Sequence, residues 1–301
     1  MSEKVLYVFF HIPKTGGTSF RFHLRRFFRN DQILFLYRDF YPQLDTNEKV
    51  GNFISNLTAG QRQKIKVVIG HKVYYGIDRL FPDREVRYVV FFRHPADRII
   101  SRYNFSRTLL VDYPEHYQLN DVIQNGQIVD FFDFIKQSPF SNNSAYRFLL
   151  EHGMGSEEQS ADQNLDSIKN ILSKFYFVGL TEKSNEDFLF LFYRLGLSPL
   201  ALRLNASRKF YEPRLDDLAT RLQTRNEIDY KIYDWAVSLN QKSKDDDFYK
   251  VVRKMKVKRF VHAPYFVVFL LFFELSEFLA RKSKTYTRFL EIIGRHRYNK
   301  F

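Results

Sequence analysis

The sequence predicts an α/β fold with three layers around a mostly parallel sheet, followed by an extra C-terminal helical segment. Short, continuously apolar runs alternate with amphipathic stretches along the chain, which is the pattern of successive strand and helix units. A glycine-containing loop directly follows the first apolar run. The basic residues are concentrated towards the C-terminus, outside this alternation.

The composition limits the class of protein. The chain has 301 residues, of which 45% are hydrophobic and 18% aromatic, so it can bury a substantial core. It contains no cysteine, which excludes disulfides, thiolate metal ligands and cysteine nucleophiles. The first apolar run is too short to cross a membrane and lacks a small-residue cleavage site. We therefore expect no signal peptide or N-terminal anchor, and a cytoplasmic location.

Four apolar runs rich in β-prone residues are predicted as strands of the sheet. They are VLYVFF at Val5–Phe10, KVVIG at Lys66–Gly70, VRYVVFF at Val86–Phe92 and FYFVGL at Phe175–Leu180. Helices are predicted after the first run and over Glu186–Leu197 and Asn226–Leu239. In a parallel sheet the carboxyl ends of the strands meet at one edge, so we expect the binding loops there.

The charge distribution divides the chain into two parts. From Lys250 to Phe301 there are 13 Lys and Arg against 3 Glu, a net of +10, which leaves +3 of the total +13 for the preceding residues. A nearly balanced body argues against a nucleic-acid partner. With Asn240–Asp247 interpreted as a linker, we expect a compact domain over residues 1–240 and a basic helical extension over residues 241–301.

The stretch HIPKTGGTS, from His11 to Ser19, has the composition of a phosphate-binding loop. Glycines before a helix let backbone N–H groups approach an anion at the positive end of the helix dipole. The candidate binding residues are Lys14, Thr15, Gly16, Gly17, Thr18 and Ser19. The loop indicates a fold of the P-loop nucleotide-binding type. However, its lysine precedes the glycines and the next two predicted strands carry no aspartate for magnesium, which disfavours a kinase or GTPase and predicts no metal.

A second motif, FFRHPADRIISRY, follows the third predicted strand. Arg93 stands at the strand end, and Ser101 lies about two helical turns later. The planar guanidinium could bind a second phosphate while the hydroxyl donates to it. Arg98 and Arg102 in the same helix are interpreted as ion-paired residues.

Together the two motifs resemble the cofactor motifs of sulfotransferases that use 3′-phosphoadenosine 5′-phosphosulfate (PAPS), in particular the bacterial and carbohydrate branch that includes the heparan sulfate 2-O- and 6-O-sulfotransferases. The resemblance extends from about Leu6 to Leu239. It implies that the first loop holds the 5′-phosphosulfate, and that Arg93 and Ser101 hold the 3′-phosphate. It further implies sulfuryl transfer to a hydroxyl of a carbohydrate or glycan-like acceptor, with release of adenosine 3′,5′-bisphosphate.

An acceptor hydroxyl needs a base, and His71 in VIGHKVYYG is the candidate, with a histidine hydrogen-bonded at the sheet rim as the alternative. The resemblance implies the same catalytic role, although Lys72 replaces the aromatic or apolar residue of many relatives. Lys14 is assigned to the charge that develops on the leaving phosphate. Glu182 is a second candidate base, for which helix capping or a salt bridge is the alternative. His11 is interpreted as structural.

The C-terminal segment contains nine consecutive apolar or aromatic residues, Tyr265 to Phe273, interrupted by Glu274 and Glu277. This run is shorter than the roughly 20 residues of a membrane span. Basic flanks suit an interfacial helix over residues 260–284 on anionic lipid, peripheral at the inner face of the membrane. Packing on the domain or on a partner subunit is the alternative.

Two other functions stay open at the level of sequence. One is a phosphotransferase that uses ATP. The other is a nucleotide-binding or membrane-associated scaffold without turnover, against which the combination of Lys14, His71 and Arg93 argues, since a binder needs no base. The sequence specifies neither the acceptor nor the oligomeric state.

Overall fold

The computed structural model describes residues 5–38, 40–112, 121–197, 209–211 and 222–258. Its strands are β1 (Val5–Phe10), β2 (Ile33–Phe35), β3 (Val67–Gly70), β4 (Glu85–Phe92), β5 (Ile123–Gln124), β6 (Gln127–Ile128) and β7 (Phe177–Leu180). Its helices are α1 (Gly17–Phe27), α2 (Asn47–Ser55), α3 (Ala59–Lys64), α4 (Pro95–Asp112), α5 (Phe131–Gln137), α6 (Ser144–Leu149), α7 (Ala161–Ser173), α8 (Ser184–Arg194), α9 (Glu227–Lys242) and α10 (246–258).

Five strands form one parallel sheet in the order β2-β3-β1-β4-β7. All six residues of the central strand β1 are buried, which explains why its sequence is a continuous apolar run without polar alternation. The four predicted strands are present, and β2 adds an edge strand that the sequence analysis did not predict. β5 and β6 pair antiparallel as a separate ribbon. The predicted α/β class is therefore confirmed.

Helices cover both faces of the sheet, because successive strand residues point to opposite sides. On one face the even-numbered residues of β1 pack in a cluster with residues of α7 and α9, such as Leu172 and Ile232. On the other face the odd-numbered residues of β1 pack with α1, α8 and α10 through Phe20, Leu189 and Phe248. The sheet thus lies between two helical layers.

A buried ion pair ties α4 to α9. Arg98 and Asp229 lie 2.7 Å apart, and their side chains are 2% and 1% exposed. The Asp229 carboxylate also accepts hydrogen bonds from the backbone N–H groups of Ala145 and Tyr146 at the start of α6. Three helices therefore meet at one carboxylate, and Arg98 is the ion-paired residue that the sequence analysis expected.

The last described residues are attached to α8. Lys244 lies 2.8 Å from the fully buried Asp187, and the Asn240 side chain donates to the same carboxylate. Two exposed ion pairs also join α8 to α10, namely Arg194 with Asp247 and Lys256 with Glu186. The stretch interpreted as a linker is thus packed into the body, which continues at least to the end of α10.

The predicted lipid-facing segment, residues 260–284, lies outside the described residues, as does all of the extension after residue 258. Within the described ranges, no helix is both long and apolar enough to cross a membrane. Of the predicted extension, the structure therefore bears on residues 241–258 alone.

Replacing the buried carboxylate at the junction of three helices tests its contribution to stability. Asp229→Asn should lower the free energy of unfolding by about 3–5 kcal/mol, because it leaves the Arg98 guanidinium buried without a counter-charge. Urea denaturation measures the change. Glu227→Gln, which breaks the exposed pair with Lys231 on the same helix, is the matched control and should change stability little. Equal effects of the two substitutions would contradict the prediction.

Candidate active site

The loops that carry the predicted site residues meet at one edge of the sheet. β3, β1 and β4 are parallel neighbours, so the loops that follow them emerge side by side. Nη1 of Arg93, after β4, donates to the carbonyl oxygen of Lys14 at 3.5 Å. Nδ1 of His71, after β3, lies 2.8 Å from the carbonyl oxygen of His11. The structure therefore brings Lys14, Arg93 and His71 together around the loop that follows β1.

The loop between β1 and α1 places a glycine at the N-cap of α1. Gly16 has a left-handed φ of 87° and no side chain with which to cap the helix. The first turn of α1 directs its backbone N–H groups towards the positive end of the dipole, an arrangement suited to an anion. Lys14 also has a left-handed φ of 70°, which is strained for a residue other than glycine. The side chain of Thr18 lies outside the described part of the structure.

Gly17 and Thr15 determine how the loop packs against its neighbours. A Cβ atom on Gly17 would lie 1.8 Å from Nε2 of His11, so glycine alone leaves room for the imidazole. Thr15 is buried, and its hydroxyl donates to the carbonyl oxygen of Ile12 at 2.8 Å. Ser19 is buried as well. The Thr15 hydroxyl thus stabilises the loop through a bond to its own backbone. Lys14 and the backbone N–H groups are donors that this segment can offer to a ligand.

Thr181 and Glu182, which follow β7, contact the loops after β1 and β4. The hydroxyl of Thr181 lies 2.9 Å from the carbonyl oxygen of Phe92 and 3.2 Å from that of Thr15. Glu182 accepts a hydrogen bond from the backbone N–H of His94 at 2.7 Å, immediately before α4. This bond supports the capping interpretation of Glu182 over a role as base. The ends of β1, β4 and β7 are thereby held to one another.

The second predicted anion position lies along α4. Ser101 is partly exposed, and its hydroxyl makes no hydrogen bond among the described residues. The following residue, Arg102, pairs with Asp121 at 2.7 Å, as the ion-pair interpretation predicts. Arg93 reaches the glycine loop between β1 and α1 through its bond to the Lys14 carbonyl. The hydroxyl of Ser101 is therefore available to a ligand, and Arg93 links the second motif to the first.

Lys14 has a largely positive environment. Burial, followed by the charges of Arg102 and Arg93, lowers the pKa of its ammonium group to about 7, while Asp121 acts in the opposite direction. Its Nζ lies over the ring of Phe105, 3.6 Å from the centroid. Because this pKa lies near neutral pH, part of the Lys14 side chains are unprotonated there. A bound anion would raise the pKa and restore the full charge.

His71 is held as a neutral imidazole. Nδ1 of His71 faces the backbone carbonyl oxygen of His11, which can only accept a hydrogen bond. Nδ1 therefore carries the proton, and Nε2 is unprotonated. Burial lowers the pKa of His71 to about 4, with a smaller contribution from nearby cations such as Lys14. A Cβ atom on Gly70 would lie 1.9 Å from the carbonyl oxygen of Leu36, so this glycine lets β3 and the segment after β2 approach closely just before His71.

His11 is more central than the sequence analysis indicated. Its ring stacks on that of His71 with centroids 4.3 Å apart, and its Nδ1 lies 2.8 Å from the hydroxyl oxygen of Tyr37. Its position beside the glycines was the signal that could have revealed this role. Tyr37 and Phe105 carry no local motif, and only the fold brings them to the site. Among the residues that the structure describes, no three His, Cys, Asp or Glu side chains form a metal-binding group.

The chain is an α/β protein with a parallel sheet, in which a glycine loop at a helix N-terminus lies beside several cationic side chains and a neutral histidine. No protein-family model matches the chain, and a search of curated proteins finds no significant relative. The function is therefore argued from the residues and their geometry.

Filling the space beside His11 tests the steric fit of the loop. Gly17→Ala should destabilise the protein by about 1–3 kcal/mol, because the new Cβ would force the imidazole or α1 to move. Gly60→Ala is the control, since a Cβ on this α3 glycine has no atom within 4 Å and alanine should add about 0.5–1 kcal/mol of helix stability. Thermal or urea unfolding measures both changes. A neutral Gly17→Ala substitution would show that the space is not required.

The pKa of His71 predicts how stability depends on pH. The folded-state pKa of about 4 lies below the ordinary histidine pKa of 6.5, so between these values the unfolded chain binds more protons than the folded one. The contribution of His71 is fully present above pH 6.5 and is lost as the pH falls through 4, by roughly 3 kcal/mol in total. Urea unfolding of the wild type and of His71→Asn between pH 4 and 7.5 measures it. The variant should lose stability less steeply on acidification, and equal slopes would contradict the assignment.

Proposed function

We propose that this protein is a PAPS-dependent sulfotransferase with a fold of the P-loop nucleotide-binding type. The observation that carries the proposal is the meeting of an open glycine loop, Arg93 and a neutral His71 at the ends of β1, β4 and β3. These are two anion-binding positions and a base on three adjacent strands. The same residues form the two motifs that resemble those of PAPS-dependent enzymes.

The donor has two anionic ends, and the site offers cationic groups to each. The first turn of α1 and Lys14 suit the 5′-phosphosulfate, because they combine backbone N–H groups, a positive dipole end and an ammonium group. Arg93 and the available hydroxyl of Ser101 suit the 3′-phosphate. Gly16, Gly17 and Thr15 maintain the loop shape, and Thr18 and Ser19 contribute the backbone N–H groups of the first turn.

The chemistry is an in-line displacement at sulfur. The acceptor oxygen forms a bond to sulfur while the bond from sulfur to the bridging oxygen of the 5′-phosphate breaks. The hydroxyl proton passes to Nε2 of His71, and the departing electron pair stays on the phosphate, where Lys14 neutralises it. The products are a sulfate ester and adenosine 3′,5′-bisphosphate.

The order of residues in the loop favours sulfuryl over phosphoryl transfer. In nucleotide triphosphatases the lysine follows the glycines and an aspartate on a neighbouring strand helps to hold magnesium. Here Lys14 precedes Gly16, and neither β3 nor β4 contains an aspartate. A sulfuryl group carries less negative charge than a phosphoryl group, so a lysine and backbone donors suffice in this mechanism.

The proposed acceptor is a hydroxyl of a carbohydrate or glycan-like molecule, which would approach from the side of His71. Lys72 beside it donates to the carbonyl oxygen of Asp45 at 3.3 Å, which fixes an ammonium group near the acceptor side. A cytoplasmic location and attachment to anionic lipid through residues 260–284 complete the proposal.

A thermal-shift screen with adenosine 3′,5′-bisphosphate, ATP and GTP tests the donor assignment. At 100-fold excess over its dissociation constant, the bisphosphate should stabilise the protein by about 2.7 kcal/mol, which raises Tm by several degrees. Arg93→Ala should reduce this shift, because it removes the guanidinium assigned to the 3′-phosphate. Stabilisation by the nucleotide triphosphates alone, dependent on magnesium, would overturn the proposal in favour of a phosphotransferase.

Turnover with PAPS and a panel of sugar acceptors separates an enzyme from a non-catalytic binder. His71→Ala should lower kcat by about 10²- to 10⁴-fold through loss of the base, and Lys14→Ala by about 10²- to 10³-fold through loss of charge stabilisation. Glu182→Gln, which keeps an acceptor for the His94 N–H, should retain most activity. Undiminished turnover in either of the first two variants contradicts that residue's role.

A further inference from the structure

The ammonium group of Lys14 rests on an aromatic face. Its Nζ lies 3.6 Å from the centroid of the Phe105 ring. Phe105 belongs to α4, one turn beyond Ser101, so the helix that carries the second anion position also carries this ring. A cation over a ring face is attracted by the negative centre of the π system, and the attraction strengthens where water is excluded.

The other charged groups that face Lys14 do not offer it a free carboxylate. Arg93 from the end of β4 and Arg102 from α4 repel its charge. Asp121, in the turn before β5, is attractive but already accepts from Arg102 at 2.7 Å and from the Ser106 hydroxyl. Within the part of the chain that the structure describes, the Phe105 ring is therefore the group in direct contact with Nζ that favours the charged form of Lys14.

We propose that Phe105 is a positioning residue for Lys14, which keeps its side chain charged and directed beside the anion-binding loop until the donor phosphate replaces the ring as its partner. The inference rests on the proposed function for the identity of the anion. A carboxylate in the place of Phe105 would neutralise Lys14 and compete with the donor, whereas a ring holds the cation without adding negative charge. The aromatic contact thus leaves the ammonium group free to change partners.

Pulse acetylation across pH 5.5–9.5, read by mass spectrometry on the peptide that contains Lys14, tests the contact in the ligand-free protein. Only the unprotonated amine reacts, so the midpoint of labelling reports the pKa of Lys14. In Phe105→Leu the midpoint should fall by about half a unit to one unit, because an apolar group of similar size replaces the stabilising ring. Phe105→Tyr, which keeps an aromatic face, should restore the wild-type midpoint. An unchanged or higher midpoint in Phe105→Leu overturns the proposal.

Two controls separate this result from other causes. Phe132→Leu makes the same change at a partly exposed ring of α5, and the Lys14 midpoint should stay at its wild-type value. Adenosine 3′,5′-bisphosphate should protect Lys14 from acetylation in the wild type. Absence of protection together with a shifted midpoint would reject the proposed donor while keeping the role of Phe105. Protection without a shift would reject the role of Phe105 alone.

Discussion

The packing of the His11 imidazole is the contact on which the geometry of the site depends. The ring occupies the space that any side chain at residue 17 would need, and it stacks on His71 at 4.3 Å. The backbone carbonyl of the same residue accepts the proton of His71 Nδ1. One residue therefore sets both the approach of α1 to the sheet and the tautomer of the candidate base. The glycine loop and the candidate base are therefore positioned as a unit.

Two features of Lys14 are energetically unfavourable in the absence of a bound anion. Lys14 adopts a left-handed backbone conformation, and its ammonium group is desolvated near Arg93 and Arg102. Backbone strain and like-charge repulsion persist only where the surrounding structure holds the residues in place. Here the Thr181 hydroxyl contacts the carbonyl oxygens of Thr15 and Phe92 and so holds the loops after β1 and β4. In the proposed function, binding of a polyanion would convert this repulsion into attraction, so that preorganisation would contribute to affinity as well as to catalysis.

The parts of the fold that sequence predicted are those specified by local pattern. Buried parallel strands are continuous apolar runs, and a lysine beside paired glycines after such a run is a local signal of an anion loop. β2 was missed because it has three residues, too few to show a period. Thr181, Tyr37 and Phe105 could not be assigned, since nothing near them in the chain marks a contact with a distant loop. The interpretation of Asn240–Asp247 as a linker failed for a related reason, because the burial of Lys244 depends on Asp187.

The buried pair of Lys244 and Asp187 limits where the chain can be shortened. The boundary suggested by charge lies near residue 240, but a chain ended there would lose Lys244 and leave Asp187 charged within the core beside Asn240. It would also uncover the surface where Phe248 packs on Phe190 at 4.8 Å between ring centroids. α8 begins directly after the turn of Thr181–Lys183, which follows β7. Removal of the basic tail at its compositional border would therefore remove contacts of α8 next to the candidate site, and a shortened chain must keep α10 to preserve them.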